Sequence, residues 1–119
     1  MTTPAPVDVS DGTRDLFDAL AHGDLDLLGT GLEARAEFQI QSGLDSRAYA
    51  LVKIAALIAL DAPPASYAWQ VGNALNDGAS AEDILAVLRA VAPQVGGPRV
   101  VAAAPEIMLA LGLSLPDDV

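Results

Sequence analysis

The sequence predicts an all-α fold, and two observations on its pattern support this prediction. Apolar residues recur at helical spacing in segments that begin at capping residues and end at glycines or prolines. No segment has the pattern of a β-hairpin. The composition is 52% hydrophobic and only 4% aromatic, so the core must consist mostly of Ala, Leu, Val and Ile. The 119 residues suit one domain, predicted over 10–112, between a flexible N-terminus at 1–9 and a polar tail at 113–119.

The first predicted helix begins at Ser10 or Asp11, since either side chain can cap it, and ends at Gly23. Residues 31–43, GLEARAEFQIQSG, alternate apolar and polar side chains, which is typical of a strand. Glu, Ala, Arg, Leu and Gln nevertheless favour helices. We therefore predict a second helix in this segment.

Asp45 is expected to cap a third helix that runs to about Leu60 and is apolar on nearly every side. That pattern is typical of a helix packed on more than one face. Pro63 and Pro64 suit the first turn of a fourth helix, where a missing N–H needs no partner. Residues 76–78, Asn-Asp-Gly, predict the end of this fourth helix.

A fifth helix is predicted after Ser80, because Ser80 and Asp83 resemble a capping box with Asp in place of the usual Glu. The predicted core face of this helix consists of Ile84, Val87, Leu88 and Val91. Pro93 is expected to kink or end the helix, since its ring disrupts the helical hydrogen bonding.

The two glycines at 96–97 interrupt the chain before a last helix. Such glycines can form a phosphate-binding loop, but no Lys-Ser or Lys-Thr pair follows them, so a helix break is the better interpretation. Pro98 can start the last helix, which is predicted to extend to about Leu111. Pro105 lies inside it and should bend it.

Charge and composition exclude several classes of function. The net charge of -10 at pH 7 argues against nucleic acid and anionic membrane surfaces as partners. The chain has no cysteine, which excludes disulfides, thiol nucleophiles and thiolate metal sites. His22 is the one histidine, too few for a histidine metal cluster, and is expected to cap the first helix. We therefore predict no metal and no cofactor.

Location and assembly follow from the apolar residues. The segment MTTPAPVDVSDG has none of the features of a secretory signal, and the longest apolar run, which contains Lys53, is too short to span a bilayer. A cytoplasmic location is expected. The mean hydropathy of +0.38 is high for so small a chain. We expect a homo-oligomer in which a second copy buries the apolar surface of the first.

Three consecutive segments resemble one protein family: SGLDSRAYALVKIAALIAL, PASYAWQVGNALNDGAS and AEDILAVLRAVAPQVGGPRVVAAAP. They are similar to the carboxymuconolactone decarboxylase family, whose superfamily includes alkylhydroperoxidase D, and the resemblance covers about residues 32–112. It implies an alkylhydroperoxidase D-like helical bundle that assembles as a trimer or hexamer, with pockets near the subunit interfaces.

The chain departs from the catalytic pattern of that family. Peroxidase members carry a CxxC and then a histidine four residues after the second cysteine, and decarboxylase members tend to have the same histidine. Here Pro63 stands at about the first cysteine, Ser66 at the second and Gln70 at the histidine. We expect no thiol peroxidase activity. Gln70 cannot be a general base, because an amide does not exchange a proton near neutral pH, but it can orient a ligand.

A polar stripe runs along the fourth helix at i, i+4, i+7 and i+11: Ser66, Gln70, Asn73 and Asp77. The helix also carries an apolar stripe: Ala68, Val71 and Leu75. The polar stripe is either a solvated face opposite a core face or, as in the relatives, the lining of a pocket. In the second case the predicted substrate-binding residues are Tyr49, Lys53, Ser66, Trp69, Gln70 and Asn73.

Lys53 is unusual because it lies in the middle of an apolar helix, one turn after Tyr49. A structural interpretation extends its ammonium to water or pairs it with Glu33 or Glu37 of the preceding helix. A functional interpretation makes it an anchor for a substrate carboxylate, or an amine with a depressed pKa. Large aromatics such as Trp69 are more often core or interface residues than ligand platforms.

Two functional hypotheses stay open. In the first, the protein is an enzyme or binder of a small carboxylated or lactone-like metabolite held by Tyr49, Lys53 and Gln70. A decarboxylation or isomerisation would then use Glu37 as the proton carrier and Lys53 for the substrate charge. In the second, the protein is a non-catalytic helical oligomer that kept the fold and lost the active residues. A pocket shared by Lys53 and the polar stripe would favour the first hypothesis.

Overall fold

The computed structural model describes residues 5–24 and 36–119 in full, and the helical backbone of residues 30–35. Its six helices are α1 (Asp11–Ala21), α2 (Thr30–Ser42), α3 (Ser46–Leu60), α4 (Pro64–Asn76), α5 (Ala81–Val95) and α6 (Gly97–Ala110). No strand is present in the described part of the chain, which confirms the all-α class. The chain divides into two compact units, residues 1–35 and 36–119. The predicted domain over 10–112 stays a prediction.

In the first unit, α1 begins and ends where its sequence signals indicate. Ser10, not Asp11, is the N-cap, and its Oγ accepts a hydrogen bond from the Thr13 N–H at 3.2 Å. His22 is the C-cap, and Gly23 follows with a φ of +84°, a value that glycine adopts without strain. Both predicted ends of the helix are confirmed.

The second predicted helix is confirmed, although its residues alternate between apolar and polar as in a strand. α2 continues to Ser42, where the serine Oγ donates to the Gln39 carbonyl at 2.6 Å. Gly43 then turns the chain with a φ of +73°. The intrinsic preference of the helix-forming residues therefore decides this segment, and the alternation does not.

The predicted starts of α3 and α4 are also confirmed. Asp45 caps α3, because its Oδ1 accepts from the Ala48 N–H at 2.7 Å. Pro63 is the N-cap of α4, and Pro64 is its first residue, where no intrahelical N–H bond is required. Gly78, with a φ of +93°, follows the end of α4.

The capping box of α5 forms as predicted. One of the two outcomes expected at Pro93, a kink or an end, does not occur. Pro93 does not end α5, which continues to Val95. Only two residues follow Pro93 in α5, so the hydrogen bond that its missing N–H removes lies in the last turn. α6 begins at Gly97, one residue before the predicted start, and contains Pro105.

One hydrophobic core holds the second unit together. α3 packs against α4, α5 and α6, and α6 also packs against α4 and α5. The buried apolar residues are Ala50, Ile54, Ile58, Tyr67, Val71, Ala74, Ala79, Ile84, Leu88, Ala103 and Ile107. On α5 they include two of the four predicted core positions, and the other two, Val87 and Val91, pack partly buried against the core. The arrangement places α3 beside α4, the two helices that carry most of the predicted site.

Candidate functional site

The buried face of α4 is centred on residues that differ from the predicted apolar stripe. Tyr67, Gln70, Val71 and Ala74 are buried, at the i, i+3, i+4 and i+7 spacing of one helix face. Of the predicted stripe, Val71 is buried, whereas Ala68 is exposed and Leu75 is 41% exposed. The helix is oriented with Tyr67 towards the core, because burial of the large Tyr67 ring removes more apolar area from water than burial of Ala68.

This rotation carries Gln70 into the interior. The side chain is only 8% exposed, while Ser66 and Asn73 are half-buried and Asp77 is an exposed C-cap. A solvated face is therefore the wrong interpretation for Gln70. Whether the stripe lines a pocket with Lys53 stays a prediction.

The Gln70 amide is buried without full hydrogen bonding. Its Oε1 has no hydrogen-bond partner among the residues that the structure describes. A buried polar group left in this way costs about 1–3 kcal/mol of stability. A glutamine amide carries both an acceptor oxygen and a donor nitrogen, so it can pair with many ligand groups. The buried Oε1 of Gln70, which lacks a partner in the described part of the chain, is the most informative feature of α4.

Lys53 and Tyr49 lie together on α3, the helix next to α4. The Lys53 Nζ is 5.1 Å from the centroid of the Tyr49 ring, and both side chains are half-buried. This geometry is a cation–π interaction, which positions the ammonium. Glu37 is exposed, and the side chain of Glu33 lies outside the described part, so the predicted pairing of Lys53 with either residue stays a prediction.

Trp69 occupies a more open position than a core tryptophan. Its side chain is 41% exposed although both of its buried neighbours on the helix face, Gln70 and Val71, are almost fully covered. The partly exposed indole is available to a ligand or to a second copy of the chain. Its role as a substrate-binding residue stays a prediction.

An ion pair that sequence reasoning missed joins the first turns of α3 and α5. Arg47 Nε donates to Asp83 Oδ2 at 3.1 Å, and Arg47 Nη2 donates to Asp83 Oδ1. The same Asp83 Oδ2 accepts from the Ser80 N–H at 2.9 Å. These hydrogen bonds, first that from Arg47, lower the pKa of the Asp83 carboxyl. Asp83 in turn raises the pKa of Arg47.

Tyr67 is the one fully buried tyrosine, with 2% of its side chain exposed. Burial raises the pKa of its phenol above the ordinary value, because the phenolate loses its hydration. The carboxylates of Asp61 and Glu106 raise this pKa further by repelling a negative charge on the oxygen. Tyr67 is therefore a neutral hydroxyl at physiological pH.

Several further expectations concern His22, metals and membranes. His22 is the C-cap of α1, and its Nδ1 lies 2.6 Å from the Asp18 carbonyl oxygen, which confirms the predicted cap. Within the described ranges, no group of histidine, cysteine and carboxylate side chains is arranged to hold a metal ion. Nor does any described helix have the length and apolar character needed to cross a membrane.

The described residues of the second unit form at least two surface grooves. One, of about 340 Å³, is lined by Asp61, Val95, Pro98, Arg99 and Ala102. The other, of about 350 Å³, runs between α5 and α6 and is almost entirely apolar, with Leu85, Leu88, Ile107 and Met108 in its lining. Neither groove contains a predicted site residue, so neither is the pocket that the polar stripe was expected to line.

Comparisons with known proteins agree with the fold. No curated protein and no solved structure matches the chain significantly. The carboxymuconolactone decarboxylase family does match, over residues 15–107, which is most of the sequence. The match includes α3, α4 and α5, with Gln70 and Lys53 on them. The chain therefore belongs to the carboxymuconolactone decarboxylase family.

Proposed function

We propose that the protein is a carboxymuconolactone decarboxylase-like binder of a small carboxylated or lactone metabolite, acting without thiol chemistry. The observation that supports this most is Gln70. Its buried Oε1 lacks a hydrogen-bond partner in the described residues. The resemblance places Gln70 where family members tend to have a histidine. A protein that keeps such a group pays for it in stability, and a ligand that pairs with the amide explains why the group is kept.

The charge of the ligand is inferred from α3. Lys53 is the only lysine of the sequence, and its ammonium is held near the Tyr49 ring at 5.1 Å from the centroid. A half-buried cation attracts a carboxylate more strongly than a cation in bulk water, because the local dielectric is lower. In this proposal Lys53 and Tyr49 bind the carboxylate or lactone end, and Gln70 with Ser66 and Asn73 orients the rest.

Catalysis is a further step of the proposal. Gln70 has no proton to exchange near neutral pH, so a decarboxylation or isomerisation needs another carrier, for which Glu37 is our candidate. The specific observation that favours a non-catalytic protein is the amide at position 70. A helical oligomer that binds a metabolite without transforming it is thus the second candidate function.

Thermal denaturation with a panel of small acids and lactones tests the binding. A ligand present at about 100 times its Kd stabilises the folded state by about 2.7 kcal/mol, which raises Tm by roughly 10 °C for a chain of this size. Gln70→Ala and Lys53→Met should lose most of this shift. Gln41→Ala, a change at an exposed glutamine of α2, is the matched control and should keep it. A panel without any shift would contradict the proposal.

A further inference from the structure

We propose that Gln70 makes the site selective for ligands that bear a hydroxyl group, so that hydroxy acids and hydroxy lactones bind better than their unsubstituted analogues. This inference rests on the proposed function and names the substrate class of the same site. The structural basis is the Gln70 side chain, 8% exposed, whose Oε1 has no partner among the described residues.

The chemistry of the two partners leads to the hydroxyl. Carboxylates and lactones offer only acceptor oxygens. An acceptor oxygen of the ligand cannot form a hydrogen bond with the Gln70 Oε1, because neither oxygen carries a proton. A hydroxyl donates to that oxygen and can also accept from the amide nitrogen. It therefore satisfies the buried amide in either orientation, whereas a ligand that carries acceptors alone leaves Oε1 unpaired.

An amide also selects differently from the imidazole that relatives have at this position. Imidazole gains a proton near pH 6.5 and then donates from both nitrogens, which suits a plain carboxylate. Gln70 keeps the same donors and acceptor over that range. Selection for the hydroxyl should therefore be independent of pH between about 6 and 8, because the amide does not titrate there.

The first test needs no ligand. Gln70→Met removes the buried amide and keeps a flexible side chain of similar volume, so it should raise the Tm of the protein by several degrees. Gln41→Met at an exposed position is the matched control and should leave Tm within about 2 °C. A lower Tm for Gln70→Met would mean that the amide is satisfied inside the protein, and would overturn the inference.

The second test compares pairs of ligands that differ by one hydroxyl: butanoate with 3-hydroxybutanoate, and γ-butyrolactone with α-hydroxy-γ-butyrolactone. Calorimetric titration of the wild-type protein should give a Kd about tenfold lower for the hydroxylated member of each pair. In Gln70→Met the two members should bind equally. In Gln70→His the preference should shrink as the pH falls through about 6.5.

The outcomes separate the inference from the proposed function. Binding of these ligands without a hydroxyl preference, or a preference that persists in Gln70→Met, would overturn the inference and leave the proposed function standing. No binding of any of the four compounds would contradict both. A hydroxyl preference that disappears in Gln70→Met, and remains in Gln41→Met, would establish the assignment.

Discussion

Tyr67 and Gln70 lie one helical turn apart on the buried face of α4, and each carries a polar group into the interior. The two residues differ in how their effect on stability depends on pH. The Gln70 amide does not titrate, so the loss of stability from its incomplete hydrogen bonding can be removed only by substitution or by a ligand. The Tyr67 phenol is an acid, so its contribution to stability depends on pH.

Tyr67 should make the protein sensitive to alkali. Its pKa in the folded state lies above the ordinary value of about 10, so the folded state holds the proton more tightly than the unfolded state. Stability is therefore unaffected below about pH 10 and falls as the pH rises above it. Denaturant titrations at several pH values should show this fall in the wild type and a smaller one in Tyr67→Phe.

Tyr49→Phe is the matched control for the alkaline experiment, since Tyr49 and Tyr67 are the only two tyrosines. That variant keeps Tyr67 and should show the full alkaline loss. Equal pH dependence in Tyr67→Phe and the wild type would mean that another group causes the loss.

At this scale the sequence predicts the identity of the important residues better than their surroundings. The position of Gln70 in the family pattern singles it out from the sequence alone. Its burial does not follow from the sequence, because it depends on which face of α4 meets α3 and α6. Periodicity places Val71 and Leu75 inside, yet Leu75 is 41% exposed. The bulk of Tyr67 in the tertiary packing decides the rotation of the helix.

The N-terminus of α5 is capped in both directions. The Ser80 Oγ accepts from the Asp83 N–H at 3.1 Å, and the Asp83 carboxylate accepts from the Ser80 N–H at 2.9 Å. Ser80→Ala should therefore lower the free energy of unfolding by about 1 kcal/mol. Urea denaturation of this variant and of Ser114→Ala, a change in the exposed tail, provides the measurement and its control. Equal loss in both variants would argue against the cap.

Asp83 should make the stability of the protein depend on pH in the acidic range. Its pKa is lowered in the folded state, so its stabilising contribution is complete above the unfolded value of about 3.9 and is lost as the pH falls through the folded value. Asp83→Asn should be less stable than the wild type at about pH 7, and the difference should shrink below about pH 4. A difference that stayed constant from neutral to acid pH would show that the carboxylate charge contributes nothing.

The ends of the helices are the part of the fold that the sequence predicts best. Capping interactions act within about four residues, so Ser10, Asp45 and Ser80 can be recognised from local sequence alone. Of the two outcomes expected at Pro93, a kink or an end, the end is wrong, because α5 continues for two more residues to Val95. The ion pair of Arg47 with Asp83 spans 36 residues, and no local pattern indicates it.

The whole molecule should self-associate, as we propose from its apolar surface. α3 leaves Val52 53% exposed and Leu60 76% exposed, on a helix whose other faces are already packed. A second copy can bury such residues by symmetric repetition of one patch. The charge of -10 opposes assembly, but charges at the rim are screened beyond about 8 Å in physiological salt. We expect a trimer or hexamer.

Light scattering after size exclusion measures the mass of the assembly. A mass of 12.2 kDa at micromolar concentration would contradict self-association. Val52→Glu places a charge on the exposed side of α3 and should weaken the assembly, since a buried unpaired charge is costly. Val7→Glu, at a position that is 84% exposed near the N-terminus, is the matched control and should not change the mass.

The pairing of Lys53 with the Tyr49 ring has a practical consequence, because this lysine has no other of its kind in the sequence. An amine-directed acylating reagent has only Lys53 and the chain's α-amino group to modify. Peptide mass analysis can distinguish these two products without any substitution. The rate at which Lys53 is acylated, relative to the α-amino group, then becomes a footprint of the site in the unmodified protein. A carboxylate bound at Lys53 would slow that one reaction alone.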